Sequence, residues 1–130
     1  MSKQPEISVI VPVMNEAGNI EPLITDIVSA FQGRQIEIIY VDDASNDATH
    51  AELVAEKAKH SCLRAITHSH RSGQSAALRT GILAARADLI ATLDGDGQNL
   101  PADLLTLEIA WQSEKASFGG LVMAAGVRQK

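Results

Sequence analysis

Two apolar runs in this chain end in carboxylates. Leu89 to Leu93 leads into Asp94-Gly95-Asp96-Gly97-Gln98-Asn99, and Ile36 to Val41 leads into Asp42-Asp43. Carboxylates two residues apart on a glycine-loosened loop suit a hard divalent cation. Mg²⁺ sits on one or two carboxylates and keeps positions open for phosphate oxygens. Gln98 repeats the same spacing and adds a third oxygen, while Gly95 and Gly97 admit turn conformations that a side chain would forbid. An EF-hand loop also opens Asp-x-Asp, but it needs Gly at its sixth position and Glu at its twelfth. Asn99 and Leu105 stand there instead.

A purely local reading competes with each cluster. Asp and Gly dominate turns, and Asp, Ser and Asn favour helix N-termini. Ser45 and Asp47 are accordingly assigned to capping, which leaves Asp42 or Asp43 for a ligand. His68 and His70 could ligate a metal, but on a polar loop without a cysteine partner they read as solvated. Arg71, with its fork of donors, is the better candidate for a phosphate contact. Trp111, Phe118 and Cys62 read as packing residues.

Elements of alternating type must position these groups. Strands are predicted at Ile7–Val13, Ile36–Val41, Leu63–Thr67, Leu89–Leu93 and Leu121–Ala125, with helical patterns between them. Ile20, Leu23, Ile24, Ile27, Val28 and Phe31 recur with helical spacing. A second helix ends near Lys59, with Ala51, Val54, Ala55 and Ala58 as its expected buried stripe. A third, from Gln74 to about Arg86, presents Leu78, Gly81, Ile82 and Ala85. Pro101 opens a fourth that runs to about Glu114. Such alternation signifies βαβ units around a mainly parallel sheet. Ligands of such sheets bind beyond the carboxyl ends of the strands, so two acidic strand ends propose one site.

The 130 residues are read as one domain, with 45% hydrophobic and 21% charged residues, ordinary values for a globular chain. A net charge of −5 and 3% aromatic residues exclude a basic nucleic-acid surface and a stacking platform for single strands. The single cysteine rules out an internal disulfide and fits a reducing compartment. No signal-peptide pattern opens the chain, and no apolar stretch reaches the length of about 18 residues that spans a bilayer. The chain stops soon after a strand, which is read as truncation of the domain at its C-terminus. The edge near Leu121 to Ala125 is expected to be exposed or paired with a second copy.

Four blocks, in order, carry a family resemblance. Val9-Ile10-Val11-Pro12-Val13-Met14-Asn15-Glu16, Val41-Asp42-Asp43-Ala44-Ser45-Asn46-Asp47-Ala48-Thr49, Gly73-Gln74-Ser75-Ala76-Ala77-Leu78 and Leu93-Asp94-Gly95-Asp96-Gly97-Gln98-Asn99 with Pro101 resemble family-2 inverting glycosyltransferases. The closest likeness is to the branch of dolichyl-phosphate mannosyltransferases and undecaprenyl-phosphate sugar transferases. The resemblance implies a three-layer, Rossmann-like α/β fold of the GT-A type, with the first four strands in the order 3-2-1-4. It further implies transfer of a sugar, with inversion, from a UDP- or GDP-linked donor to a polyprenyl phosphate. Asp43 would contact the base or ribose, with Pro12 and Glu16 lining the same pocket. Asp94 and Asp96 would be the catalytic carboxylates, holding Mg²⁺ or Mn²⁺ with help from Gln98, and Arg128 would approach the donor phosphates. Met14 departs from the pattern, standing where many members place Tyr.

The whole protein would then work at the cytoplasmic face of a membrane, while this stretch alone binds donor without transfer. Two other readings are weighed against this one. A nucleotide-sugar-binding module without catalysis shares every donor motif. A haloacid-dehalogenase-like phosphohydrolase shares Asp-x-Asp-Gly, but wants Thr or Val after the Gly and places the motif on its first strand.

Overall fold

Ile7–Val13 forms β1, with all seven residues buried, as expected of β-branched residues in a parallel strand covered on both faces. The computed structural model describes residues 4–95 and 123–125. After β1 come α1 (Ile20–Ala30), β2 (Ile36–Asp42), α2 (Thr49–Lys59), β3 (Leu63–Thr67), α3 (Gln74–Ala84), β4 (Leu89–Thr92) and β5 (Met123–Ala125). The strands form one sheet in the order β3-β2-β1-β4-β5, and all four pairings are parallel. The order expected for the first four strands is the order observed. The helix expected from Pro101, with Trp111, and also Phe118 lie outside the described residues.

Side chains of alternate parity separate two cores. Ile7, Val9, Val11 and Val13 face one way, packing with Ile20, Leu23, Ile24 and Ile27 of α1 and Leu53 of α2. Ile10, Ile39, Val41 and Ile90 face the other way, against Ala77 of α3. This is the three-layer α/β arrangement. Gly81 lets α3 lie close to the sheet, since a Cβ there would collide with Ile10 Cγ2 and approach Val41 Cγ2 to 3.3 Å.

Two buried stripes differ from expectation. In α2 the inward face is Thr49, Leu53 and Glu56, whereas Ala51, Val54, Ala55 and Ala58 are exposed. The polar inward residues find partners: Thr49 Oγ1 accepts Glu16 N–H at 2.9 Å and Glu56 takes Lys59 at 3.1 Å. That frees Leu53, the largest apolar residue of the helix, to fill the core. In α3, Ala77 and Gly81 are the buried residues. Leu78, Ile82 and Ala85 only flank them, because the small pair is what allows close approach. Cys62 is half-buried against the first core.

Candidate functional site

The sheet opens at the carboxyl ends of β1 and β4. Pairing of these strands stops at Ile10↔Thr92, with a last bond from Leu93 N–H to Ile10 O at 3.0 Å. Successive residues of a strand point their backbone groups to opposite neighbours, so Pro12 is the next residue of β1 to face β4. It has no N–H to offer. The ladder ends there, and the chain leaving β4 turns across β1. Gly95 sits so close that a Cβ would collide with Val13 Cγ1 and lie 3.1 Å from Pro12 O. This is also where chain connections diverge to either side of β1, the place where open α/β sheets bind ligands.

A cavity of about 280 Å³ occupies this opening, lined by Pro12, Val13, Met14, Glu16, Asp43, Arg71, Gly73, Gln74, Ala77, Asp94 and Gly95. Of the residues singled out from sequence, Pro12, Glu16, Asp43, Arg71 and Asp94 are brought together on its wall. Asp96, Gln98 and Arg128 lie outside the described residues. One residue from each acidic strand end, Asp43 and Asp94, lines this cavity.

Much of the second acidic block is spent on a clasp between loops. Asn15 N–H donates to Ser45 Oγ at 2.8 Å and Ala17 N–H to Asp47 Oδ2 at 3.3 Å. Gly18 N–H is shared by both carboxylate oxygens of Glu52. In return, Asn46 N–H donates to Asn15 Oδ1 at 2.9 Å. Ser45 is therefore no helix cap; it receives an amide from the loop after β1. Asp47 accepts the Thr49 amide at 2.9 Å, a local Asx turn leading into α2. Asp42 points into the first core, with Oδ1 taking Ser45 N–H at 2.9 Å. Asp43 is the one that reaches the cavity.

Asp43 is 4% exposed and tied to the loop after β3. Oδ1 accepts His68 Nδ1–H at 2.9 Å and Ser72 N–H at 2.8 Å, and Oδ2 accepts Gly73 N–H at 2.8 Å. Burial raises its pKa, but these three bonds and the charge of the His68 ring outweigh burial and hold it below the ordinary value. A carboxylate offers about four acceptor sites, so one on Oδ2 stays open.

His68 is the correction here. Expected to be solvated, its side chain is only 16% exposed. The parallel register Asp42↔Thr67 carries His68 alongside Asp43, and no sequence pattern reveals register. His70 is exposed. Thr80 and Ser72, which complete the surroundings of Asp43, had no signal beyond their place around the glycine loop.

Glu16, Asp43 and Asp94 supply three carboxylates against one Arg71. Among the described residues no three His, Cys, Asp or Glu side chains are grouped to hold a metal ion. Asp94 is one carboxylate of the oxygen-donor type that hard cations take, on a loop held by the tight seat of Gly95 against Val13 and Pro12.

Glycosyl transferase family 2 matches this chain over residues 8–127. The chain is 38% identical over 102 residues to dodecaprenyl-phosphate galacturonate synthase of Rhizobium johnstonii, covering 76% of this chain and 30% of that protein. It is 37% identical over 102 residues to undecaprenyl-phosphate 4-deoxy-4-formamido-L-arabinose transferase of Klebsiella pneumoniae, covering 76% and 31%. The chain thus spans under a third of these relatives. A mannosyltransferase from Pyrobaculum calidifontis, solved in complex with GDP-Man and Mn²⁺, superposes with a TM-score of 0.72 at 26% identity, covering 86% of this chain and 33% of that one. S. aureus TarS, solved in complex with UDP, shares the fold with a TM-score of 0.68 at 23% identity, covering 85% and 33%.

Proposed function

The chain belongs to glycosyl transferase family 2, and from that premise we propose that its cavity holds the nucleoside diphosphate of a UDP- or GDP-linked sugar. The observation that carries this reading is the convergence of Pro12, Glu16, Asp43, Arg71 and Asp94 on one opening between β1 and β4. The whole protein, by this reading, transfers the sugar with inversion to a polyprenyl phosphate at the cytoplasmic face of a membrane. Both curated relatives are named for such lipid phosphates. Among the described residues no helix is long and apolar enough to cross a membrane. Transfer is assigned to the longer protein, and donor binding to this stretch.

Each residue has a part. The open site on Asp43 Oδ2 accepts a base N–H or a ribose hydroxyl. Pro12 and Glu16 wall the same pocket, and Arg71, with Arg128, donates to the phosphates. Asp94 and Asp96, assisted by Gln98, hold Mg²⁺ or Mn²⁺. When bound, such a cation neutralises the charge that builds on the departing diphosphate. A lipid phosphate acceptor is already anionic, so attack from the opposite face needs no strong base from this chain.

Without a cation, the diphosphate would face the bare carboxylates of Asp94 and Asp96, a like-charge juxtaposition that costs several kcal/mol. Calorimetric titration of the 130-residue chain with UDP and GDP tests the reading. Binding is expected with Mn²⁺ and a loss of about tenfold or more, roughly 1.4 kcal/mol, with excess chelator or in Asp94→Asn. Equal affinity in all three conditions removes the metal from the site.

A further inference from the structure

His68 lies just outside the cavity, bonded to Asp43, which lines it. Its backbone N–H donates to Asp42 O at 2.9 Å, continuing the β2–β3 ladder past the last residue of β3. The ring then bridges two elements. Nδ1 lies 2.9 Å from Asp43 Oδ1 at the end of β2, and Nε2 lies 2.8 Å from Thr80 Oγ1 on α3. An ionised carboxylate only accepts, so Nδ1 carries a proton. The Thr80 hydroxyl also sits 3.0 Å from Ala76 O. It can donate to that carbonyl and accept Nε2–H, or turn and donate to a bare Nε2. Either arrangement leaves the ring between the same two partners.

We propose that His68 is a positioning residue for the nucleotide site: by clamping Asp43 against α3 it holds the His70-Arg71-Ser72-Gly73 loop in its binding shape. The inference rests on the reading that the cavity takes a nucleoside diphosphate. Its steps follow from the contacts. With one oxygen fixed by His68, the Asp43 carboxylate presents both oxygens to the loop and takes the Ser72 and Gly73 amides at 2.8 Å each. Those bonds hold Gly73 at a φ of 101° immediately before α3, a left-handed conformation that glycine adopts without strain. Gly73 and Arg71 both line the cavity, whereas His68 does not. Removing the ring frees Oδ1 to turn, weakens two amide bonds and lets Arg71 drift from the phosphates, with no direct contact to ligand lost.

Side-chain reach separates this from simple packing. The amide nitrogen of Asn stands about where His Nδ1 stands and can donate to Asp43, while that of Gln extends toward the position of Nε2 and Thr80. His68→Ala is therefore expected to weaken Mn²⁺-supported UDP or GDP binding about tenfold. His68→Asn should recover most of that loss and His68→Gln little of it. In hydrogen-exchange NMR without nucleotide, the Ser72 and Gly73 amides should lose protection in His68→Ala and keep it in His68→Asn. Thr80→Val, which leaves Asp43 and the ring present, provides a milder variant should the alanine fail to fold, and it too should speed exchange at Ser72 and Gly73. Wild-type affinity in His68→Ala, an equal loss in His68→Asn, or unchanged exchange in Thr80→Val would overturn the clamp. If the unaltered chain bound neither nucleotide, the functional reading would fall. The exchange pattern would then decide the clamp by itself.

Discussion

Glu37 and Asp43 stand at opposite ends of one face of β2, and both are buried carboxylates, 3% and 4% exposed. Both have a pKa below the ordinary value. In each, burial works the other way and hydrogen bonds prevail: Ser8, the Arg86 amide and Arg64 at Glu37, His68 and two loop amides at Asp43. Glu37 is saturated. Ser8 Oγ, Arg64 Nη1, Arg86 N–H and Arg86 Nε all donate to it, at 2.5 to 3.3 Å, and it is absent from the cavity wall. Asp43 has three donors, an acceptor site left over and a cavity in front of it. Burial and a depressed pKa therefore mark a supported charge, not a binding site. The leftover acceptor beside open space marks the site.

The largest expected effect breaks the saturated end. Glu37→Ala leaves two arginines, a serine and an amide without their acceptor. Leaving the Ser8 hydroxyl and the Arg86 amide without an acceptor costs about 1–3 kcal/mol each, to be read from urea-denaturation midpoints, while the two arginines, 34% and 60% exposed, can turn to water. Nucleotide affinity of the folded fraction should not change. An affinity loss would mean that the two ends of β2 are coupled and that the comparison is drawn too sharply.

Asp43→Asn should show the converse pattern. The amide turns one acceptor into a donor facing three donors, so at least one bond is lost. The expected cost is roughly 1.5–3 kcal/mol in UDP or GDP binding, with a smaller shift in unfolding midpoint than for Glu37→Ala. A variant that unfolds more easily yet binds normally would reduce Asp43 to a second Glu37.

Gly95→Ala sharpens the picture at the mouth of the cavity. Its Cβ would press on Val13 and the Pro12 carbonyl, and overpacking typically costs about 1–3 kcal/mol. The loop carrying Asp94 must shift in response, so Mn²⁺-dependent binding should fall together with stability. Gly81→Ala, which crowds Ile10 in the second core, should lower stability alone.

The smallest effect is on pH dependence. Because both carboxyls titrate lower in the folded chain than in the unfolded one, their contribution to stability is present above the ordinary carboxylate range, about pH 4. It is lost as pH falls through the depressed folded values. Glu37→Gln should flatten the acid limb of a stability–pH profile, and Asp43→Asn should flatten it further. An acid limb unchanged in both variants would assign acid sensitivity to other groups.

Local chemistry made a large part of this protein legible from its residues alone. Apolar runs of strand length and the repeat from Ile20 to Phe31 locate β1, β2, β3, β4 and α1 almost to the residue, because burial on both faces demands such runs. Acidic strand ends likewise point to one cavity, since a parallel sheet puts all its carboxyl ends on one side. Three things were decided only by the tertiary structure. Strand register set His68 beside Asp43, and register depends on pairing between segments distant in sequence. The inward face of α2 fell to Thr49, Leu53 and Glu56, with Thr49 taking an amide from the loop after β1 and Glu56 paired with Lys59 of its own helix. The acidic block after β2 divided its labour in space, with Ser45, Asp47 and Glu52 clasping the loop after β1, Asp42 turned into the core and Asp43 alone facing the cavity. Residue type tells which bonds a side chain can make. Only the assembled fold decides which partners arrive to make them.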